Sequence, residues 1–346
     1  MESAPSGVPD FPCAGINPLD TLHAPGISRF AKRVAHLATR LETASGTGAC
    51  DQIAWEEIAI ALGYRGNEAQ MERCSQIATL GRVRQIHPLF RRRDLADAGP
   101  EAYLLGVGGF LPQEPHASET TPLGFPIAIV RDLWNQIDQG IMVLLAVTTD
   151  ARPTWSMTSV RPENKPVRRL ASLVPLMSHW PDDPDPTEVN GYGLGHSAQI
   201  QMSGDRAENS MLARVATILA RRNQMVHGNP ISVICELAEL VRVTATLIRP
   251  RLVGPARVVD IVVNVLLPLA SAWGMLTGNK DLSISACEVY ACHPALASNW
   301  ITREVGRRIG LGGPRDPRSH GAFVQLGMID LWEGPCRPLA RTECPL

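Results

Sequence analysis

A mainly α protein is the fold that this sequence predicts: an irregular multi-helix domain around a buried central helix, with at most a minor β element. Three observations lead there. Residues 258–273 are apolar on nearly every face at helical spacing, so this helix has to be enclosed by others. Shorter amphipathic patterns recur on both sides of it. The 28 prolines and 29 glycines among 346 residues interrupt those patterns often enough to keep the helices short.

The central element runs from about residue 249 to 278, RPRLVGPARVVDIVVNVLLPLASAWGMLTG. Pro255 suits the first turn, where a missing N–H costs nothing. Asp260 and Asn264 lie four residues apart on one face and need hydrogen-bonding partners once withdrawn from water, which predicts a buried polar network. Pro268 removes an intrahelical bond and predicts a kink. Gly278 and Asn279 end the helix at a turn.

Composition narrows the class of function. With 45% hydrophobic residues the chain can bury a core, which excludes disorder throughout. A formal net charge of -1 gives no global positive field to recruit nucleic acid, so any such contact has to be local. Among the basic residues only Lys32, Lys165 and Lys280 are lysines. Arginine suits bidentate contact with phosphate or carboxylate, although genomic base composition produces the same bias. Eight cysteines, at 13, 50, 74, 235, 287, 292, 336 and 344, lack the regular dense spacing of a secreted disulfide scaffold. The first residues show no basic region followed by an apolar core, so a reduced, cytoplasmic setting is expected. Asp260, Asn264 and Pro268 interrupt the most membrane-like run, and no membrane partner is expected.

In chain order, residues 1–25 are rich in proline and glycine and read as an irregular N-terminal tail, with the helical domain over 26–346. Ser28 is placed to cap a helix with the face Phe30, Val34, Leu37 and Leu41. Asp51 caps a second helix that buries Ile53, Trp55, Ile58, Ala59 and Leu62 and stops at Gly63. Asn67 starts a third, with Met71, Ile77 and Leu80. The arginines at 82, 84, 91, 92 and 93 read as a solvated surface. The glycines of YLLGVGGFLP, residues 103–112, do not fit a dinucleotide loop and instead indicate helix termination with close packing. Pro126 opens an amphipathic segment through Ile137 that ends at Gly140. The apolar run IMVLLAV, residues 141–147, is a strand or a buried helical turn, and periodicity does not separate the two. A helix begins near Pro166 and places Arg168 and Arg169 in its first turn, where the helix dipole calls for an acidic partner or an anion. Arg161 precedes it.

RPENKPVRRLASL, VVDIVVNVLLPLASAWG, HPALASNWITREVGRRIGL and the closing WEGPCRPLARTECPL, with AWEEIAIALGYRGN and AYLLGVGGFLP before them, resemble successive signatures of a bacterial family, domain of unknown function 2851. The resemblance covers most of the chain from about residue 25 onward, in the family's order. Members of that family are typically longer, with an amino-terminal half in which a GDxExH-like segment resembles the acidic metal-binding core of restriction-type nucleases. That segment is absent here, so the resemblance implies a helical carboxyl-terminal part, with a protein partner as one source of the missing half, and carries over no catalytic residue.

The acidic stretch with Asp182, Asp183 and Asp185 is broken by prolines and reads as a solvated turn. Two helical patterns around the turn MVHGNP form a hairpin at about 205–248, with no counterpart in the family pattern, which makes it a candidate insertion. After the central helix comes a short helix over 282–291. Another is capped by Ser298 and runs through Ile301, Val305 and Ile309, and it carries Arg303, Arg307 and Arg308 on much of its exposed surface. Ser319 starts the last helix, with Phe323, Leu326, Ile329 and Leu331. Cys336 and Cys344 are the metal-ligand candidates of the tail; two ligands do not specify a zinc site, and Cys287, Cys292 or His293 would have to complete it, so no cofactor is expected.

Two classes of function follow. One is a non-catalytic helical scaffold or accessory module, favoured by the neutral charge and the absence of a recognisable nucleophile, base or cofactor loop. The alternative is the nucleic-acid-binding part of a nuclease-related protein whose catalytic half is absent from this chain, with Arg161, Arg168, Arg169, Arg303, Arg307 and Arg308 as phosphate contacts.

Overall fold

A computed structural model describes residues 18–44, 49–63, 66–90, 97–113, 119–145, 153–157, 165–178, 211–224, 236–237, 252–293, 296, 300–308 and 321–333. These residues are 80% helical and contain no strand. The one β feature among them is an isolated antiparallel bridge between Thr120 and Pro126. The elements in order are α1 (Pro18–Thr43), α2 (Ala49–Leu62), α3 (Glu68–Ile77), α4 (Leu80–Phe90), α5 (Ala98–Val107), α6 (Ile127–Leu145), α7 (Pro166–Ala171), α8 (Leu173–Ser178), α9 (Met211–Gln224), α10 (Pro255–Leu276), α11 (Lys280–Ala291), α12 (Trp300–Arg308) and α13 (Gly321–Glu333). The chain forms two compact units, one of residues 1–35 with 290–346 and the other of residues 36–289.

The larger unit is built around two nearly all-apolar helices. In α2, Ile53, Ala54, Trp55, Ile58, Ala59 and Leu62 are buried, and the helix packs against α3, α4, α7, α9 and α10. Its hydrophobic positions point in every direction because neighbours surround it. Trp55 is fully enclosed and its indole Nε1 donates to the Ala78 carbonyl at 3.0 Å, which satisfies the polar end of the ring. Gly63 ends the helix: a Cβ there would stand 2.5 Å from the Glu68 Cα, so only glycine lets the chain turn so close to the start of α3.

Helix α10 is the buried central helix that the sequence indicates. Val258, Ile261, Val262, Val263, Val265 to Ala270 and Ala272 are all buried. It is long and apolar enough to cross a membrane, and 72% of its most apolar window is buried inside the protein. Its middle, Val262–Leu266, is a π turn, with the Leu267 N–H donating to the Val262 carbonyl. The cause is Pro268, whose ring would clash with the carbonyl four residues earlier in a regular helix and which has no N–H to offer. A wider turn just before the proline makes room for the ring, so the expected local distortion takes the form of an inserted π turn.

Helices α5 and α6 pack against each other through small residues. A Cβ on Gly106 would lie 2.2 Å from the Trp134 ring, and one on Gly108 would lie 2.6 Å from a Leu170 methyl. Gly109 adopts φ 72° as the chain leaves α5. The glycines of YLLGVGGFLP thus serve helix termination and close packing. Glu101 of α5 is fully buried and accepts bonds from the Thr121 hydroxyl at 2.6 Å and the Leu123 N–H at 3.1 Å, which ties down the 119–126 turn.

Several local readings change: Leu80 opens α4 and does not continue the third helix, and Arg84 is half-buried toward Asp51 and not on a solvated surface. Helix α1 starts at Pro18, so residues 18–25 of the expected tail are helical, with Pro18 in the first turn and Pro25 inside the helix. Ser28 lies within α1 and caps nothing, while the face Phe30, Val34, Leu37 and Leu41 is buried as the period requires. Asp51 belongs to the first turn of α2. Helix α6 continues through Gly140 to Leu145, which makes residues 141–145 helical; a single glycine costs only about 1 kcal/mol in a helix whose apolar face continues beyond it. The second arm of the 205–248 hairpin lies outside the described residues except for 236–237.

In the smaller unit, α12 packs against α13 around Val305, Val324 and Met328, flanked by Ile301, Leu331 and Trp332. Phe30 and Tyr290 pack ring against ring, tilted by 43° with centroids 4.2 Å apart. Gln325 of α13 brackets the backbone of Leu296, accepting from its N–H and donating to its carbonyl at 2.9 Å.

Candidate functional site

Two polar clusters interrupt the apolar interior of the larger unit. The first surrounds α2. Arg40, in the last turn of α1, places one guanidinium nitrogen on a Glu57 carboxylate oxygen and another on Glu56. Glu57 has no exposed side-chain surface, and His36 Nε2 lies 3.9 Å from the same carboxylate. Gln52, one turn earlier, donates to Glu56 at 2.6 Å and accepts the Leu80 N–H at 2.9 Å, so it links α2 to the start of α4. Asp51 accepts the Met211 N–H, at the start of α9, at 3.1 Å. Arg84 of α4 approaches its other oxygen at 3.8 Å. Each carboxylate of this helix therefore meets a cation or a backbone donor from another element, as a buried charge must.

The spacing follows from the helix. Glu56 and Gln52 are four residues apart and share a face, and consecutive acids at 56 and 57 spread over about 100°, which one forked guanidinium can span. Cys50 of α2 and Cys74 of α3 line the same region. Burial pushes the Cys50 thiol up to about 11, with the Asp51 charge adding to it, and burial pushes Cys74 up to about 12. Neither thiol supplies a thiolate at neutral pH.

The second cluster lies on α10, where Asp260 and Asn264 are half-buried and not fully enclosed as the sequence suggested, because their side of the helix is only partly covered. Asp260 pairs with Arg257 one turn earlier at 3.4 Å. The Asn264 side-chain amide donates to the Asp260 carbonyl at 3.0 Å, inside the π turn. Arg169 of α7 is buried and close enough to Asp260 to pull its pKa down. Burial wins nonetheless: the Asp260 carboxyl sits above its ordinary value, with Arg257 and then Arg169 opposing the rise. Helix α7 is only six residues long, so Arg168 and Arg169 fall in its last turn and not in the first as the sequence suggested, and the expected conflict with the helix dipole does not arise.

The arginines singled out in the sequence have unlike fates. Arg169 is buried against this cluster, which withdraws it from any phosphate backbone at the surface. Arg168 is half-buried, and Arg303 is exposed on α12. Arg307 and Arg308 belong to the last turn of α12, and their side chains lie outside the described residues, as does Arg161. Arg168 and Arg169 lie in one unit and Arg303, Arg307 and Arg308 in the other. Cys336 and Cys344 lie outside the described residues; Cys287 and Cys292 are exposed free thiols, and His293 is buried. Among the described residues no three His, Cys, Asp or Glu side chains converge as metal ligands.

The cluster around α2 was missed in the sequence, although a signal existed. Two adjacent glutamates inside an otherwise apolar helix, AWEEIAIAL, call for partners once the helix is buried. Which residues supply them is a tertiary fact, since Arg40 and Arg84 come from separate helices. Comparison with models of protein families, with curated proteins and with solved structures gives no match to this chain.

Proposed function

We propose that this chain is a non-catalytic helical scaffold or accessory module. The observation that carries this reading is the state of the buried acids. Asp51, Glu56, Glu57 and Glu101, four buried carboxylates among the described residues, are each held by an arginine, a hydroxyl or a backbone N–H from a neighbouring element. A carboxylate that serves a hydrolytic metal centre must keep oxygens free for the ion and for activating water. Here those oxygens join helices to one another, and the reactive forms of Cys50 and Cys74 are suppressed.

Incubation of the purified full chain with DNA and RNA substrates in magnesium or manganese tests the proposal. No cleavage above a no-protein control is expected. Metal-dependent cleavage that disappears in Glu56→Gln with Glu57→Gln, or in Asp182→Asn with Asp183→Asn, would overturn it and place a catalytic centre on one of those acidic pairs.

A further inference from the structure

Helix α12, in the smaller unit, presents an aromatic ring and a cation on one face. Trp300 is 53% exposed, which is unusual for the largest side chain, and it stands on the helix opposite the buried Thr302 and Val305. Its ring meets that of Trp332 from α13 at a centroid distance of 5.0 Å and an interplanar angle of 86°. The edge contact leans Trp300 against Trp332 while the residue as a whole remains exposed to solvent. Arg303 is exposed one turn further along, and Arg307 follows at the next turn, so that by helical register residues 300, 303 and 307 share a face. Glu304 beside them is half-buried. From residue 290 to the end of the chain seven arginines face five acids, although the whole chain has a net charge of -1, so positive charge is concentrated in this part of the sequence.

We infer that this face of α12 binds single-stranded nucleic acid, with a base stacked on Trp300 and a flanking phosphate on Arg303. The chemistry selects that occupant. A phosphodiester strand supplies negative charge at intervals that successive helical turns can follow, and an unpaired base offers the flat π surface that an exposed indole accepts. A duplex keeps its bases stacked on one another and would meet the arginines alone. RNA and DNA share the phosphate and base chemistry, and the binding assay separates them. Such a surface goes beyond the scaffold reading and does not depend on it, because binding and cleavage are separate measurements.

The test is fluorescence anisotropy of the full chain with labelled strands of about 12 nucleotides, a length within the usual site size. The probes are oligothymidylate, oligouridylate, an abasic strand of equal length and a duplex. Wild type is expected to bind one or both base-bearing single strands more tightly than the abasic strand, with affinity falling as salt rises. Trp300→Ala should weaken binding of the base-bearing strand at least about fivefold and leave the abasic strand unaffected, and Trp300→Phe should retain most of the affinity. Arg303→Gln should reduce the slope of log affinity against log salt by about 0.7. Circular dichroism of each variant confirms the fold; if the alanine variant unfolds, Trp300→Gln, which keeps a side chain of some bulk but offers no ring to stack on, takes its place with the same expected loss on the base-bearing strand. Absence of salt-dependent binding to single strands, or equal affinity of wild type and a folded Trp300→Ala, would overturn the inference. A shift in oligomeric state of Trp300→Ala without any loss of oligonucleotide affinity would also overturn it and assign the face to a second copy of the chain.

Discussion

Helices α2 and α10 are both enclosed on nearly all sides, yet they settle their polar groups in opposite ways. Around its π turn helix α10 relies mostly on itself: Asn264 donates to the Asp260 carbonyl, Asp260 pairs with Arg257 one turn away, and the π turn before Pro268 absorbs a missing hydrogen bond, while further along Ser271 reaches Ser283 of α11. Helix α2 depends on the rest of the unit. Glu56 and Glu57 need Arg40 from α1, Gln52 reaches the start of α4, and Asp51 holds the start of α9. Local satisfaction makes a helix tolerant of loss, since few partners are stranded by one substitution. Tertiary satisfaction makes a helix an organiser, because each polar group that is lost leaves a buried partner elsewhere without compensation.

That contrast predicts a ranked set of effects. The largest belongs to α2. Arg40→Met leaves two carboxylates without their shared cation, one of them fully buried, and should lower stability by about 3 kcal/mol in urea unfolding. An effect under about 0.5 kcal/mol would mean that water replaces the guanidinium and that α2 is less enclosed than described.

Next comes the close approach of α5 and α6. Gly106→Ala drives a methyl group into the Trp134 ring, where 2.2 Å is far below contact distance, and should cost about 2 kcal/mol of stability. Trp134→Leu in the same background should return part of that loss by freeing the space. If the double variant is no better than the single one, the two helices do not meet at this point.

A smaller effect is expected on α10. Asn264→Leu removes the side-chain bond to the Asp260 carbonyl in a half-buried position and should change stability by about 1 kcal/mol, with helix content unaltered. A loss as large as that of Arg40→Met would erase the distinction between the two helices.

The smallest effect is a dependence on pH. Burial raises the Asp260 pKa, so the folded protein holds this proton more tightly than the unfolded chain does. The stability linked to that proton is fully present below the ordinary aspartate value and is lost as pH rises through the raised one. Asp260→Asn should therefore gain stability relative to wild type as pH rises above the ordinary aspartate value. A change of the opposite sign would show that Arg257 and Arg169 outweigh desolvation.

Helical periodicity made the faces of α1, α2 and α10 legible in the sequence, because burial of Phe30, Val34, Leu37 and Leu41, or of Ile53, Trp55 and Ile58, follows from spacing alone. Helix ends were less legible. Ser28 and Asp51 are residues that favour caps, and both lie inside helices, since a capping preference of about 1 kcal/mol is too small to fix a helix start by itself. The polar pair Asp260 and Asn264 was visible for the same reason that α10 satisfies itself: both members lie within one turn. Arg40, Glu57 and Arg84 were not visible, since their pairing joins helices that periodicity treats separately. Arg169 shows the same limit from the other side. As a letter in the sequence it is a cation in a basic run, and only the packing of α7 against its neighbours turns it away from solvent.

A double-mutant cycle on Arg40 and the two glutamates tests the organising role of α2 most directly. Unfolding free energies are needed for wild type, Arg40→Met, Glu56→Gln with Glu57→Gln, and all three substitutions together. If these carboxylates serve the fold through Arg40, neutralising them should rescue the Arg40→Met protein and give a coupling energy of at least about 2 kcal/mol. Additive losses, with no rescue in the combined variant, would contradict the account and leave the glutamates of α2 serving some purpose other than holding the helices together.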